Sequence, residues 1–342
     1  MSSHVIRRSI LDGTSFALLI AVILHVIINP TEEQMLNLPA ISSIFLGGIV
    51  LGAFISQRLN ASGLKTFGEN LFEPAYVKAK TEAKPWYRTF WGWHLFVTIL
   101  ILFIVGIFKT KFSLYELLDE DGFAGAKRLF QGIFSPNWAI LPQAVLNIIE
   151  TIFMAFMATF LAIPFAFVLS FMAAKNIMKH PVAFGFYLFL RTALNVMRSI
   201  EALVWAIIFS VWVGIGPFAG MLALMIHSIA SLTKQYSEMV ETVYEGPIEG
   251  VQSCGASKLQ TIWFAIVPQV VLPYISFTVY RWDINVRMAT IIGLVGGGGI
   301  GTMLIKYQGQ AMWPEVGTII VVIAAVVWLM DQASAYIREA LK

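Results

Sequence analysis

Long apolar runs separated by shorter polar stretches form the main pattern of this chain. A helix needs about 20 mainly apolar residues to cross the hydrocarbon core of a bilayer. The pattern therefore predicts an all-α, polytopic transmembrane helix bundle with about eight spans. The runs that predict these spans lie at 10–28, 36–55, 91–108, 144–173, 183–213, 217–232, 265–284 and 315–334.

The composition supports membrane residence and excludes a soluble domain. Hydrophobic residues make up 58% of the 342 residues and charged residues only 13%, whereas soluble domains carry about 25% charged residues. The net charge of +3 is too small to indicate a nucleic-acid partner. A lone cysteine, Cys254, excludes an internal disulfide. No cleavage site follows the apolar run that starts at Ile10, so we expect that run to remain as a span.

Lysine and arginine concentrate in alternate loops, and this bias predicts the orientation. Arg7 and Arg8 precede the first run, and the loop 56–90 carries several more basic residues. Further basic residues follow the fourth, sixth and eighth runs. With eight spans, all of these positions fall on one side, which the positive-inside rule assigns to the cytoplasm. We therefore expect a multi-pass protein with both termini in the cytoplasm.

The stretch 109–140 should lie outside, yet it mixes basic and acidic residues. Leu129, Phe130, Ile133 and Phe134 recur at helical spacing and suggest an amphipathic helix at the outer interface. A partly ordered loop fits the same residues equally well.

The chain changes character near residue 140. Before it lie three runs, a polar cytoplasmic loop and the outer segment; after it, five runs lie close together around one long polar loop, 233–264. This change predicts an N-terminal part at 1–140 and a core at 141–342.

The loop 233–264 carries the most specific pattern of the chain. It reads as short helices, and it holds a glutamate, a glycine and a proline in a fixed register, at Glu249, Gly255 and Pro268. This register resembles the EAA loop of bacterial ABC import permeases, in which Glu-Ala-Ala is followed after three residues by Gly and after nine more by Ile-x-Leu-Pro. The departures are small-for-small or apolar-for-apolar changes, at Gly250, Val251, Ala265 and Val267.

Within that family the chain is similar to the phosphonate-import type, PhnE, over about residues 135–340. The early spans are not matched in detail, and there are two more of them than the resemblance leads us to expect. Four stretches carry the similarity: Gly214-Ile-Gly-Pro-Phe-Ala-Gly220, Glu245-Gly-Pro-Ile-Glu-Gly250, Tyr280-Arg-Trp-Asp-Ile-Asn-Val-Arg287, and the glycine-rich stretch from Ala289 to Gly301.

The resemblance implies a type I ABC importer permease core in a bacterial inner membrane. It implies a homodimer that works with two cytoplasmic ABC ATPase subunits and an extracytoplasmic phosphonate-binding protein. ATP and Mg would bind to the ATPase, so no catalytic residue, cofactor or metal is expected on this chain.

The resemblance also implies that the loop is a coupling helix seated in a cleft of the ATPase. Gly255 and Ala256 would permit close backbone approach, while Glu249 and Lys258 would fix the docked orientation. An exposed helical hairpin without a partner is the simpler alternative. The residues assigned to coupling are Glu245, Glu249, Gly250, Gly255, Ala256, Lys258, Leu259 and Pro268.

Polar and ionisable residues inside apolar runs are costly, so they mark candidate functional positions. Spacing predicts two pairs on one helix face, Asp283 with Arg287 and Arg281 with Asn285. The candidate translocation path comprises Arg198, Glu201, His227, Arg281, Asn285, Arg287, Gly297 and Gly298.

These charges have a functional and a structural interpretation. Arg281 or Arg287 could line the path of a dianionic phosphonate. Alternatively, Arg287 reaches the outer interface and Arg281 pairs with Glu201 or His227. His227 by itself fits a packing histidine bonded to a neighbouring helix better than a ligand, because no second metal-binding residue lies at suitable spacing.

The glycine run from Gly296 to Gly301 nearly fits a phosphate loop. Thr302 stands where the lysine should be, and no strand precedes the run, so ATP binding is expected on a partner. The glycines instead favour a sharp turn beside the path or close helix packing across a dimer. Backbone amides of the turn could also meet an anion.

Together these observations predict the permease subunit of an ATP-driven importer for phosphonates. Phosphite, another oxyanion or a compound such as methionine are alternative cargoes, because a separate binding protein usually sets specificity. A channel without ATPase coupling or a membrane-embedded enzyme would be a different class. A channel has no need of the long loop, and the sequence shows no paired catalytic residues.

Overall fold

The computed structural model describes residues 10–19, 38–62, 66, 71, 85–178 and 180–341. The regular structure within these residues is helical, without a strand. Helices dominate because a backbone in lipid has to satisfy its polar groups within its own segment. In chain order the α-helices are α1 (Ile10–Leu19), α2 (Leu38–Ala61), α3 (Phe90–Lys109), α4 (Leu114–Leu118), α5 (Glu120–Ile133), α6 (Leu141–Met172), α7 (Pro181–Ser199), α8 (Ala202–Val213), α9 (Pro217–Glu241), α10 (Glu245–Ser253), α11 (Lys258–Thr261), α12 (Val267–Ile292), α13 (Gly299–Gly309) and α14 (Trp313–Ala340).

The chain divides into two compact units, Met1–Asp119 and Glu120–Lys342. In the first unit α1 and α2 approach closely, and a Cβ on Gly52 would lie 2.8 Å from the carbonyl oxygen of Gly13. The segment 120–140, which the sequence groups with the N-terminal part, lies in the second unit. It does so because α5 packs against α14.

The expected count of about eight spans is not confirmed. Four stretches of the described residues are long and apolar enough to cross a membrane, or five if one bent pair of helices counts as a single span. The four cover the predicted runs 91–108, 144–173, 265–284 and 315–334 to within one residue, and the third is much longer than its run. They are Phe90–Lys109, Trp138–Met172, Lys258–Val295 and Trp313–Ala340.

Three further runs do not form qualifying spans in the part of the chain that is described. The run 10–28 is described only as far as Leu19, and 20–28 lie outside the described residues. The run 36–55 is described from Leu38 onwards, where it falls in α2, and the apolar part of that helix at Ile49–Leu59 is too short to qualify. Residues 36 and 37 lie outside the described residues. The run 217–232 falls in α9, which continues into polar residues such as Lys234 and is not among the four stretches.

The run 183–213 is wrong as one continuous span. It forms α7 and α8, which meet at 88°. Between them Ile200 and Glu201 adopt extended backbone conformations, with ψ angles of 120° and 145°. The apolar composition continues through the break, so hydropathy along the chain does not detect it.

The core of the second unit is built from α6, α9 and α12. These helices approach closely because small side chains line their contacts, as is usual for helices in membranes. Bulkier side chains such as Met154, Leu224 and Ile292 fill the remaining space. The buried alanines at these contacts are Ala155, Ala158, Ala219, Ala223 and Ala289.

The outer segment is helical, which decides between the two interpretations of 109–140 in favour of a helix at α5. The end of α5 packs on the start of α14, where a Cβ on Gly132 would collide with Trp313. Asn137 then donates a hydrogen bond to Glu315 Oε1 at 3.0 Å. Location of α5 at the outer membrane interface stays a prediction.

Candidate functional site

The segment 244–261, which is predicted to couple to an ATPase and is called the coupling segment below, consists of α10, a turn and α11. Gly255 ends α10 with a φ of +79°, a conformation that a side chain would strain. A Cβ at this position would meet nothing within 4 Å. Glycine is therefore required here for the backbone turn. Ser257 and Gln260 then form a reciprocal capping box that starts α11.

Most of the residues assigned to coupling face outwards. Ala256 is half-buried, and Ile248 of α10 packs against the core of the unit. One face of α10 thus packs against the core through Ile248, while the residues on its other face are exposed. The exposed residues of the assigned set are Glu245, Glu249, Gly250, Gly255, Lys258, Leu259 and Pro268.

Gln269, near the start of α12, holds the beginning of the coupling segment. Its Oε1 accepts a hydrogen bond from the Tyr244 N–H at 3.0 Å, and its Nε2 donates to the Tyr244 carbonyl at 3.5 Å. Nε2 also donates to the Ala265 carbonyl at 2.7 Å. Because both backbone groups of Tyr244 are bound, α10 cannot shift relative to α12 without breaking these hydrogen bonds. We call such a set of hydrogen bonds at the end of a segment a clasp.

A second clasp holds the helix that leads into the coupling segment. Glu241, at the end of α9, accepts hydrogen bonds at Oε1 from Arg191 Nη1 at 2.8 Å and from the Lys175 N–H at 2.9 Å. Asn176 adds a bond to the Val240 carbonyl at 2.7 Å. The end of α9 is thereby tied both to α7 and to the turn after α6.

Sequence reasoning missed both clasps. Arg191 is a charge within the apolar run 183–213, but nothing in the sequence identifies Glu241 as its partner 50 residues away. Gln269 gave no signal, since a glutamine after a proline fits many structures.

A buried polar cluster, defined here as Thr159, Ser228, Arg281 and Asn285, lies where α6, α9 and α12 meet. Arg281 Nε donates to Ser228 Oγ at 3.1 Å. Asn285 Nδ2 donates to Thr159 Oγ1 and to Ser228 Oγ, both at 2.8 Å. The expected pairing of Arg281 and Asn285 on one face is confirmed, because both side chains bind Ser228.

The break between α7 and α8 lies beside this cluster. His227 Nδ1 bonds to the Ile200 carbonyl at 3.2 Å, as expected for a packing histidine bound to a neighbouring helix. Arg198 and Glu201 are exposed at the break. Among the described residues, no ion pair joins Arg281 to Glu201 or to another carboxylate.

Arg287 differs from Arg281 because two carboxylates surround it. It pairs with Asp283 on its own helix, as the spacing predicts, and with Asp331 of α14 at 3.4 Å. Its side chain is 46% exposed, whereas that of Asp283 is buried. These bonds tie α12 to α14 within the unit. Reach of Arg287 to the outer interface and a role on the path both stay predictions.

The glycine run folds into a tight turn against the start of α9. The Gly296 carbonyl accepts a hydrogen bond from the Gly216 N–H at 2.9 Å. A Cβ on Gly298 would lie 2.6 Å from the Pro217 ring, and one on Gly297 would collide with Ile292. The glycines therefore serve close packing inside the unit. Contact across a dimer and binding of an anion by this turn stay predictions.

The fold and the exposed coupling segment define a membrane component of a transport system. A family model described as "Binding-protein-dependent transport system inner membrane component" matches residues 146–341. The chain belongs to this family. The match begins in α6 and includes both the coupling segment and the buried polar cluster.

Several proteins of named function are similar to this chain. The phosphite transport system permease protein PtxC of Stutzerimonas stutzeri is 37% identical over 207 residues, which cover 60% of this chain and 74% of PtxC. The phosphate-import permease protein PhnE of Mycolicibacterium smegmatis is 33% identical over 56% of this chain and 36% of its own length.

A solved structure shares the fold. The chain matches the MetNI methionine ABC transporter in an inward-facing conformation with a TM-score of 0.53 and 21% identity, over 60% of this chain and 99% of the matched chain. The chain is therefore a permease of the ABC importer family with a type I importer fold.

Proposed function

We propose that the chain is the permease subunit of an ATP-driven importer for small phosphorus oxyanions, with phosphonate as cargo and phosphite as the alternative. The observation that carries this proposal is the coupling segment, which is exposed on one face and clasped to α12 and α7 at its start. Similarity to permeases for phosphite and phosphate supports the class of cargo.

The partners follow from the same proposal. Two copies of the chain form the pathway, two ABC ATPase subunits bind ATP and Mg, and an extracytoplasmic binding protein delivers the cargo. The coupling segment and both termini lie on the cytoplasmic side. Basic residues at Lys175, Lys234 and Lys258 support this orientation through the positive-inside rule.

The two clasps suggest how movement is transmitted. Closure of the ATPase pair would draw the two coupling segments together. Gln269 would pass that displacement to α12, and Glu241 would pass it through Arg191 to α7. Since α12 and the broken end of α7 both border the buried polar cluster, the same movement would open the cluster to one side of the membrane or the other.

Co-purification with the ATPase tests the proposal. We expect a tagged permease to retain an ABC ATPase subunit, and the variant Gly255→Arg to lose it while its amount in the membrane stays unchanged. Gly255→Ala is the matched control, because it carries the same backbone strain without the bulk. If the unmodified permease retains no ATPase, or if Gly255→Arg leaves uptake of methylphosphonate and phosphite intact, the importer function is refuted.

A further inference from the structure

Arg281 lies where α6, α9 and α12 meet, and the charge of Glu201 acts on it without a direct ion pair between the two. Its side chain is only 7% exposed, and no carboxylate among the described residues forms an ion pair with it. Nε is bound by Ser228, but Nη2 is buried and has no hydrogen-bond partner in the part of the chain that the structure describes. A buried charge without an ion-pair partner is costly, so this guanidinium is suited to bind a negatively charged ligand transiently.

Ser228 supplies a second donor at the same place. Its oxygen accepts hydrogen bonds from both Arg281 and Asn285. With the oxygen occupied in this way, the hydroxyl hydrogen is directed elsewhere, and the hydroxyl donates no hydrogen bond to another of the described residues. A hydroxyl hydrogen beside a guanidinium N–H is the donor arrangement that an oxyanion requires.

Asn285 holds the Ser228 hydroxyl in place. It is fully buried, and its Nδ2 bonds to Ser228 and Thr159 orient the amide. Its Oδ1 is buried without a partner. This oxygen would accept a hydrogen bond from a protonated oxygen of an incoming anion, and a monoprotonated phosphonate or phosphate offers such a group.

The surrounding backbone supports a pathway position. His227, the residue before Ser228, bonds to the carbonyl of Ile200 in the break between α7 and α8. Irregular backbone within a membrane bundle is tolerated where it is buried in protein or lines a cavity, and broken helices in transporters often border the substrate site.

The charges that face the cluster are of both signs. Glu201 and Arg198 are exposed at the break, and the charges of Glu201 and Arg281 both act on His227. Arg198, Glu201 and Arg281 together carry one net positive charge. Glu201 thus weakens the attraction for an anion without removing it, which suits a site that must release its ligand.

We propose that Arg281 and Ser228, oriented by Asn285, form a transient binding site for a tetrahedral oxyanion on the path between the helices. This proposal rests on the proposed import function, and it assigns the anion-contacting atoms to Arg281 Nη2, Ser228 Oγ and Asn285 Oδ1. The neighbouring Arg287 is not part of the site because Asp283 and Asp331 already neutralise it.

The test compares Arg281→Gln, Arg281→Lys and Asn285→Asp in the complete transport complex, reconstituted with its ATPase and binding protein. Methylphosphonate and phosphite are the probes, and uptake and ATP hydrolysis are measured together. A charge-assisted hydrogen bond corresponds to about a tenfold change or more in binding. We therefore expect Arg281→Gln to lower uptake at least about tenfold while ATP hydrolysis continues, with partial rescue by Arg281→Lys.

Asn285→Asp keeps the shape of the side chain and places a carboxylate against Arg281, so it should abolish uptake as well. Arg338→Gln is the matched control. Arg338 lies on α14 over the ring of Tyr280, so this variant removes the same charge outside the proposed site. Uptake within twofold of the unmodified complex in both Arg281→Gln and Asn285→Asp would overturn the site.

A binding measurement separates failure of the site from failure of the function. In the purified permease dimer, methylphosphonate and phosphite at high concentration should raise the melting temperature of the unmodified protein and of Arg338→Gln, but not of Arg281→Gln. Equal shifts in all three refute the site even if the complex transports. A shift that depends on Arg281 in a complex that shows no ATP-driven uptake supports the site and refutes the importer function.

Discussion

The coupling segment and the buried polar cluster are both polar, but their hydrogen bonds are arranged in opposite ways. In the coupling segment both backbone groups of Tyr244 are bound by Gln269, while side chains such as Glu249 are exposed and make no hydrogen bond or ion pair with the described residues. In the cluster the side chains are buried and bonded to one another, yet Arg281 Nη2 and Asn285 Oδ1 remain unsatisfied.

This difference fits the two tasks proposed above, coupling to an ATPase and transient binding of an anion. A segment that transmits force needs rigid attachment to its own chain and a free surface for its partner. A site that passes a ligand needs oriented donors whose final partner is absent in the free protein. The two regions are connected by α12, which carries Gln269 at its start and Arg281 and Asn285 further along.

The largest effect is expected from cutting the clasp at Glu241. Glu241→Ala removes the acceptor of both Arg191 and the Lys175 N–H, so the end of α9 loses its tie to α7. We expect uptake to fall at least about tenfold while ATP hydrolysis persists, since removing one partner of a partly buried charge pair costs about 2–3 kcal/mol. The exchange Arg191→Glu with Glu241→Arg should restore part of the uptake. A clasp that matters only for folding would instead lower the amount of protein in the membrane.

A large effect on stability, with a smaller one on transport, is expected at Arg287. Arg287→Leu leaves the buried Asp283 without its cation and also breaks the contact to Asp331. The free energy of unfolding should fall by about 2–3 kcal/mol, which thermal unfolding in detergent would show as a lower melting temperature. Asp283→Asn combined with Arg287→Leu should recover most of the loss, because no buried charge then remains. A single variant as stable as the unmodified protein would contradict this account.

A moderate effect is expected at Gln269. Gln269→Ala frees both backbone groups of Tyr244, and the loss of about 1 kcal/mol per hydrogen bond should reduce the ratio of transport to ATP hydrolysis about fivefold. Gln269→Glu preserves the acceptor for the Tyr244 N–H but loses the donor. Its ratio of transport to ATP hydrolysis should therefore lie between those of Gln269→Ala and the unmodified protein. If both variants couple normally, the start of the segment is held by apolar packing of Ile248 alone.

The smallest effect on stability is expected at Glu249. Its side chain is exposed and unbonded, so Glu249→Ala should change the free energy of unfolding by less than about 0.5 kcal/mol. Binding of the ATPase should nevertheless weaken, which pull-down at graded salt concentration would detect. Gln252→Ala, an exposed neutral position on the same helix, serves as the control. An equal loss of binding in both variants would show that the charge of Glu249 has no specific role.

The sequence alone determined the environment and several local features of this protein. Membrane residence follows from the shortage of charged residues, because no soluble surface can be built from so few. The pair of Asp283 and Arg287 follows from helical spacing, which places residues four apart on one face. The register of Glu249, Gly255 and Pro268 marked the segment that is proposed to couple to an ATPase, and the structure exposes all three. Coupling itself stays a prediction.

Tertiary structure decided the break at 199–201, the partners of the charges and the composition of the polar cluster. Hydropathy is a property of composition along the chain, so it cannot detect an 88° bend within a continuous apolar run. The partners Glu241 of Arg191 and Ser228 of Arg281 lie on another helix, and Gln269 binds the backbone of Tyr244, 25 residues away along the chain. Only the packing of α6, α7, α9 and α12 brings them together, because small side chains at the contacts set which residues meet. For the same reason, the sequence marked Arg281 as unusual but could not show that Ser228 binds it while Nη2 remains free.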